Sequence, residues 1–268
     1  PDGFGNFSNL GPMARTVPDA ALMLSVMAGP HSNDPHSHGL SIDDYVAAAL
    51  GDDDLSGIKI GWISHMGNEL IDPEVLEACA LRRDALAGAG AEIIEFDEPF
   101  ENTEPYWLVI TQSLWVARFE DKLAEYGDRM TPTLLRGIEE GKTYSAVELQ
   151  RAITFRTQLY RRIQSWFERV DFLTMPTLSR TAINADHDFY QPITIGNQTA
   201  GGIRQTWYPY THPFNMTGHP AITIPCGIMA DGLPAGLQIV GPMMGDAGII
   251  RIAAMVERIH PWSHLWPD

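Results

Sequence analysis

The stretch "THPFNMTGHPAITIPCG", residues 211–227, reads as a helix stopped abruptly and turned straight into a strand. Gly218 can take the left-handed conformation that ends a helix, Pro220 cannot continue one, and Ala221 to Ile224 is a short apolar run suited to a buried strand. Just beyond it, "ADGLPAGLQIVGP" (230–242) offers Asp231-Gly232 as a turn and Gly236 to Val240 as a second strand, followed by a helix over 245–259. Working outward, Ile58 to Ser64 reads as a strand, Pro73 to Gly88 as a helix, Ala91 to Phe96 as a strand, and "DFLTMPT" (171–177) as a strand ending at Pro176. The β-α-β rhythm favours a parallel arrangement. The expected fold is α/β, a mixed, twisted central sheet covered by helices.

The remaining pattern is helical. Thr16 to Ala28 reads as a helix with Thr16 as N-cap, Pro18 in its first turn, Gly29-Pro30 as its stop and an apolar face of Leu22, Met23 and Val26. Residues 105–127 and 144–170 carry helical periodicity, the second through Leu149, Ile153, Leu159, Ile163 and Trp166. Residues 179–205, polar and containing three glycines, read as a long loop able to wall a cleft. With no internal repeat, the chain is read as one unit over 1–268 with a helix-rich middle at 41–205.

The 268 residues, 44% of them hydrophobic, are enough for a large core. Lys and Arg total 18 against 34 Asp and Glu, a formal charge of −16. That balance disfavours nucleic acid and anionic membrane as partners and suits neutral small molecules. No run approaches the roughly 18 consecutive apolar residues of a membrane helix. Cys79 and Cys226 are too few for a disulfide framework, so a reducing cytoplasm is the expected location. His31, His36 and His38 gather in "HSNDPHSHG" (31–39), but loop histidines among Pro, Ser and Asn read as solvated, and neither a metal nor a cofactor is expected. The chain opens on Pro1-Asp2-Gly3-Phe4 without a methionine and is expected to be a piece that excludes upstream sequence.

A hydrolase needs a Ser or Cys beside a base, with backbone N–H donors set for an oxyanion. The sequence has no G-x-S-x-G elbow and no H-E-x-x-H, and Gly201-Gly202 is followed by Ile203 instead of a serine. "GAGAEI" (88–93) imitates a dinucleotide fingerprint in part, but it follows a helix and holds Ile93 at the last glycine position, so it reads as a helix end. Lys59 lies in a strand, and Lys122 and Lys142 lie on polar helix surfaces; none reads as a buried base. Cys226, at a strand end, reads as small core packing ahead of a thiol nucleophile.

The corner at 215–221, together with "GPMARTVPDAALMLSVMAGP" (11–30), resembles the C-terminal half of the amidase signature family of serine amide hydrolases. Pro225-Cys226-Gly227, Gly236 to Gly241 and "FLTMPT" (172–177) carry the likeness further, over about 11–257 with a more divergent middle at 41–205. The resemblance implies that family's fold, here incomplete because the N-terminal half is absent. It also implies hydrolysis of a carboxamide to a carboxylate and ammonia or an amine through an acyl-serine. The family's serine nucleophile, second serine and lysine base belong upstream of this segment, so no catalytic residue is carried over. The implied partners are a small-molecule amide and the missing half, with self-association as the other way to cover an exposed edge. Two further readings stand beside this one: a noncatalytic truncated subunit or binding module that pairs with a separate N-terminal partner, and the glutamine-dependent tRNA amidotransferase subunit of the same family, which the charge of −16 disfavours.

In "GIRQTWYPYTHPF" (202–214), Trp207, Tyr208, Tyr210 and Phe214 crowd the approach to the corner and are the candidate substrate-binding residues. Arg204 could select a carboxylate-bearing substrate through a bidentate pair. The competing reading is plain core. On the pocket reading, Tyr210→Ala and Trp207→Ala weaken turnover of apolar amides with little loss of stability.

Overall fold

The computed structural model describes residues 6–37 and 43–265; His38 lies outside them. Helices α1 (Val17–Met27) and α2 (Tyr45–Ala49) precede strand β1 (Lys59–Trp62), α3 (Pro73–Gly88) and β2 (Glu92–Glu95). A helical block follows: α4 (Glu104–Phe119), α5 (Leu123–Tyr126), α6 (Pro132–Gly141) and α7 (Ala146–Trp166). The chain then runs through β3 (Phe172–Pro176), β4 (Thr194–Ile195), β5 (Gln198–Thr199), α8 (Ile203–Thr206), α9 (His212–Thr217), β6 (Ala221–Ile228), β7 (Pro234–Val240) and α10 (Asp246–Ile259). Side-chain caps set several starts. Thr16 accepts from Asp19 N, Asp72 from Glu74 N, and Ser145 with Glu148 forms a complete capping box for α7.

Five strands make the main sheet in the order β2-β1-β3-β7-β6. The β2-β1-β3 half is parallel and the β3-β7-β6 half antiparallel, so the sheet is mixed. On one face Ile60, Trp62, Leu237 and Ile239 pack with α3 and α10 through Cys79, Leu86, Ile252 and Val256. On the other, Leu173, Met175 and Val240 meet α7 and α9 through Leu159, Ile163, Phe214 and Met216. The result is a helix–sheet–helix sandwich with the 211–227 corner at the end of the sheet that β6 closes.

The structure changes four expectations. Ala221 to Ile224 is not a buried strand: β6 lies at the edge of the sheet, Ala221 and Thr223 are exposed, and only Ile224 of the four is fully in the core. α1 turns Val17 and Ala21 inward, leaving Leu22, Met23 and Val26 exposed, Val26 at 81%. The expected apolar face exists, but α2 and α10 contact the other side of the helix. Residues 179–205 are not all loop. Gly196, at φ +56°, opens a two-residue turn between β4 and β5, and Ile193, Ile195, Ala200 and Ile203 bury a small core of their own. Finally, α6 fills a stretch with no assigned element, capped by Thr131 and pressed against α4 where Gly137 and Gly141 remove the side chains that would separate them.

Candidate substrate-side site

The corner forms as its residues dictate. Gly218 ends α9 at φ +81°, ψ +12°, with its N–H donating to Phe214 O at 2.7 Å. No neighbour lies within 4 Å of where a Cβ would sit, so glycine is required there by the backbone angle alone. Arg156 Nε donates to Met216 O at 2.7 Å and satisfies one of the carbonyls exposed at the helix end. His219 is buried between the rings of Tyr160 and Phe167, at 5.4 and 5.3 Å. Its Nε2 donates to Gln164 Oε1 (3.3 Å), which leaves Nδ1 to accept from the Thr217 hydroxyl (2.8 Å). Burial lowers the pKa of this imidazole to about 4.

Beside the corner lies an open groove of about 1210 Å³. Its walls are the segment from Asn9 to Val17, the α9 residues Phe214 and Asn215, the exposed side of β6, and Met243 and Met244 ahead of α10. Met13, Met243 and Met244 are exposed, a flexible apolar rim. The lower wall is fixed rather than loose: Trp262 Nε1 donates to Arg15 O (2.9 Å), and Glu257 accepts from Val17 N (2.7 Å) at the start of α1.

Of the five residues singled out in the sequence, Phe214 both lines this groove and belongs to the core beneath it. Tyr210 is fully buried, its hydroxyl donating to Ser64 O and accepting from Asn68 Nδ2, while its own carbonyl accepts from Gln238 Nε2. Trp207 packs on the small β4–β5 core and donates from Nε1 to Arg180 O at 3.1 Å. Tyr208 stands edge-on to Trp207 and to His212, at 5.9 and 6.4 Å. Burial pushes its phenol up to about 12, opposed by the Arg204 charge. Arg204 is 6% exposed and lies 5.5 Å over the Tyr190 ring. Burial holds the Glu104 carboxyl above its usual range, and Arg204 pulls the other way. Trp207, Tyr208, Arg204 and His212 thus form one neighbourhood, a turn of chain away from the groove. His212 donates from Nδ1 to Tyr208 O (3.2 Å), and burial lowers its pKa to about 4.

His219, Arg156, Asn68 and Gln238 escaped the sequence reading. Gln238 alone carried a signal, an amide inside the apolar strand run 237–240. Among the described residues one serine touches an imidazole, Ser64 Oγ with His65 Nδ1 at 3.0 Å, but His65 is exposed and no carboxylate orients its ring. No group of three or more His, Cys, Asp and Glu among the described residues could hold a metal. No helix among them is long and apolar enough to cross a membrane.

A mixed sheet whose edge hairpin presents a helix-stop corner to an open groove defines the class: an α/β protein with a groove at a sheet edge. The chain belongs to the Amidase family, whose model matches residues 4–250. It is 32% identical over 270 residues to an acylamidase of Rhodococcus erythropolis, covering 98% of this chain and 55% of that protein. It is 31% identical to a glutamyl-tRNA(Gln) amidotransferase subunit of Salinispora arenicola, covering 92% of this chain and 54% of that protein. The fold superposes on a bacterial aryl acylamidase of the amidase signature enzymes with a TM-score of 0.85 and 25% identity, over 99% of this chain and 56% of that one. The chain spans about half the length of the curated relatives it matches.

Proposed function

We propose that this chain supplies the substrate-side wall of an amidase that hydrolyses a carboxamide through an acyl-serine, with the serine nucleophile, second serine and lysine base carried on sequence upstream of Pro1. The observation that carries the reading is the groove at the corner. It is large, rimmed by exposed apolar side chains, and bordered by an edge strand. That is a surface suited to a further layer of protein closing over a small ligand. The partner is then the N-terminal half of the same enzyme, which would pair along β6 and cover Leu22 and Val26. Membership in the Amidase family supports the reaction class. Two free thiols support a reducing, cytoplasmic setting.

The substrate class rests on the aromatic neighbourhood, on the reading that the N-terminal half extends the pocket from the groove across it. Trp207 and Tyr208 favour a neutral apolar or aromatic amide, in line with the aryl acylamidase likeness. Arg204 already has Tyr190, Tyr208 and the Glu104 charge around it, which argues against its serving a carboxylate on the substrate. A second reading, the glutamine-dependent amidotransferase subunit, has the amidotransferase relatives in its favour. It would release ammonia from glutamine and leave aryl amides untouched.

The deciding experiment expresses the whole reading frame containing this chain, and the chain alone. We expect the whole frame to hydrolyse an aryl amide, Trp207→Ala to lower kcat/KM for it, and the chain alone to be inactive. Turnover by the chain alone that Cys226→Ala abolishes would overturn the acyl-serine reading. Release of ammonia from glutamine without aryl amide turnover would select the amidotransferase.

A further inference from the structure

Cys79 and Cys226 are far apart in sequence and adjacent in space. Cys79, on the buried side of α3, is 0% exposed, and Cys226, on β6, is 6% exposed. Their sulfurs stand 3.6 Å apart, and the Cys79 sulfur also lies 3.5 Å from Gly236 O on β7. Both are free thiols. Cys226 sits at an irregularity in the sheet. The β6–β7 register shifts between Pro225 and Gly227, so Cys226 is the extra, unpaired residue of a bulge on a strand that has a neighbour on one side only. A bulge on an edge strand is where a backbone moves most cheaply.

We infer that Cys79 and Cys226 form a peroxide-oxidisable dithiol that closes to a disulfide and staples edge strand β6 to helix α3. Closure needs the sulfurs to approach by about 1.5 Å, to the usual S–S length near 2.05 Å, a movement within reach of side-chain rotation and a shift of the bulge.

The chemistry balances with hydrogen peroxide as oxidant. The Cys226 thiolate attacks one peroxide oxygen and the O–O bond breaks. Hydroxide leaves and takes up the proton the thiol gave, forming one water. The Cys79 sulfur then attacks the resulting Cys226 sulfenic sulfur and displaces its hydroxyl, which leaves with the Cys79 proton as a second water. Two thiols and one peroxide become one disulfide and two waters, the sulfurs losing the two electrons the peroxide gains. Cys226 attacks first because it is the less buried of the two residues and sits at the bulge of β6. Cys79 resolves, its thiol held protonated by the Cys226 contact and by burial until the pair opens. The linkage holds the strand that leaves the corner, and so the groove beside it, against α3.

The test uses the native chain and needs no assay of activity. Peroxide-treated protein, denatured and alkylated, should have lost two hydrogens (about 2 Da) and accept no alkyl group. Digestion should yield one linked pair of peptides containing Cys79 and Cys226. The melting temperature should rise by roughly 5 °C or more and return on adding dithiothreitol. Cys226→Ser should abolish the mass change and the shift. Two thiols still open to alkylation, oxygen added to a single cysteine, or links between separate chains would each overturn the inference.

Discussion

The Tyr210 hydroxyl donates to the carbonyl of Ser64 at 2.8 Å and itself accepts from the Asn68 amide at 3.0 Å. One phenol thereby joins the segment after β1 to the approach of α9, inside a core that excludes water. Tyr210→Phe leaves the Ser64 carbonyl without its donor and should cost about 1–3 kcal/mol, and Tyr210→Ala more, about 3–5 kcal/mol. The expectation that Tyr210 can be cut away at little cost to stability is thus replaced. Urea denaturation of the two variants measures it, and a Phe variant as stable as the parent would sink the idea.

Acid should loosen the corner. His212 and His219 are both buried neutral with pKa values near 4, below the unfolded value near 6.5. Between those limits the unfolded chain binds more protons, so the stability these two groups contribute is complete above pH 6.5 and falls as pH drops toward 4. Glu104, Asp246 and Glu257, held above their usual range chiefly by burial, oppose this in part at the acid end. Melting temperatures from pH 7.5 to 4.5 should decline, and His219→Gln with His212→Asn should flatten the decline. A double variant as acid-sensitive as the parent would refute the assignment.

Gly218→Ala should destabilise by about 1–2 kcal/mol, because an L side chain resists the left-handed region. Gly218→Asn should recover much of that loss. Since no atom lies within 4 Å of the new Cβ, crowding cannot explain the effect. Equal stability of the Ala and Gly proteins would show that the corner relaxes to other angles.

Two helical glycines should respond with opposite signs. A Cβ at Gly141 would stand 2.5 Å from Gln112 O and 2.8 Å from the Val116 side chain, so Gly141→Ala forces α6 off α4 at about 1–3 kcal/mol. At the end of α3, Gly88 faces open space, and Gly88→Ala should gain roughly 0.5–1 kcal/mol. Thermal melts of the two variants check both signs at once.

Leu22 and Val26 stand 57% and 81% exposed on one side of α1. Light scattering of the isolated chain should report a species above the monomer mass, and Leu22→Glu with Val26→Glu should lower it. A monomer at every concentration would remove the need for any covering layer there.

The sequence reveals most where start and stop signals sit close together. α3, between Asp72 and the Gly88–Gly90 stretch, keeps its expected bounds, and so does the turn from α9 into β6, because Pro, Gly and cap residues act over one or two positions. What escapes is direction. The aromatic crowding at 207–214 is plain in the sequence, yet Phe214 faces the groove, Tyr210 the core and Trp207 the β4–β5 hairpin. Two short helices and a turn separate those orientations, and no single period describes them. The exposed face of α1 escapes for the same reason, since apolar spacing gives a stripe without saying what covers it.

The two halves of the main sheet differ in how far apart their partners lie along the chain. β6 and β7 meet across residues 229–233, whereas pairing Ile60 with Phe172 closes more than a hundred residues. Loop-closure entropy therefore orders assembly: the hairpin at the corner can zip locally, β1 and β2 close across α3 alone, and the β1–β3 pairing must wait for the helical block between β2 and β3 to condense. The corner is then the first part of the sheet to exist during folding, and for that interval both edges of its hairpin are open to other chains.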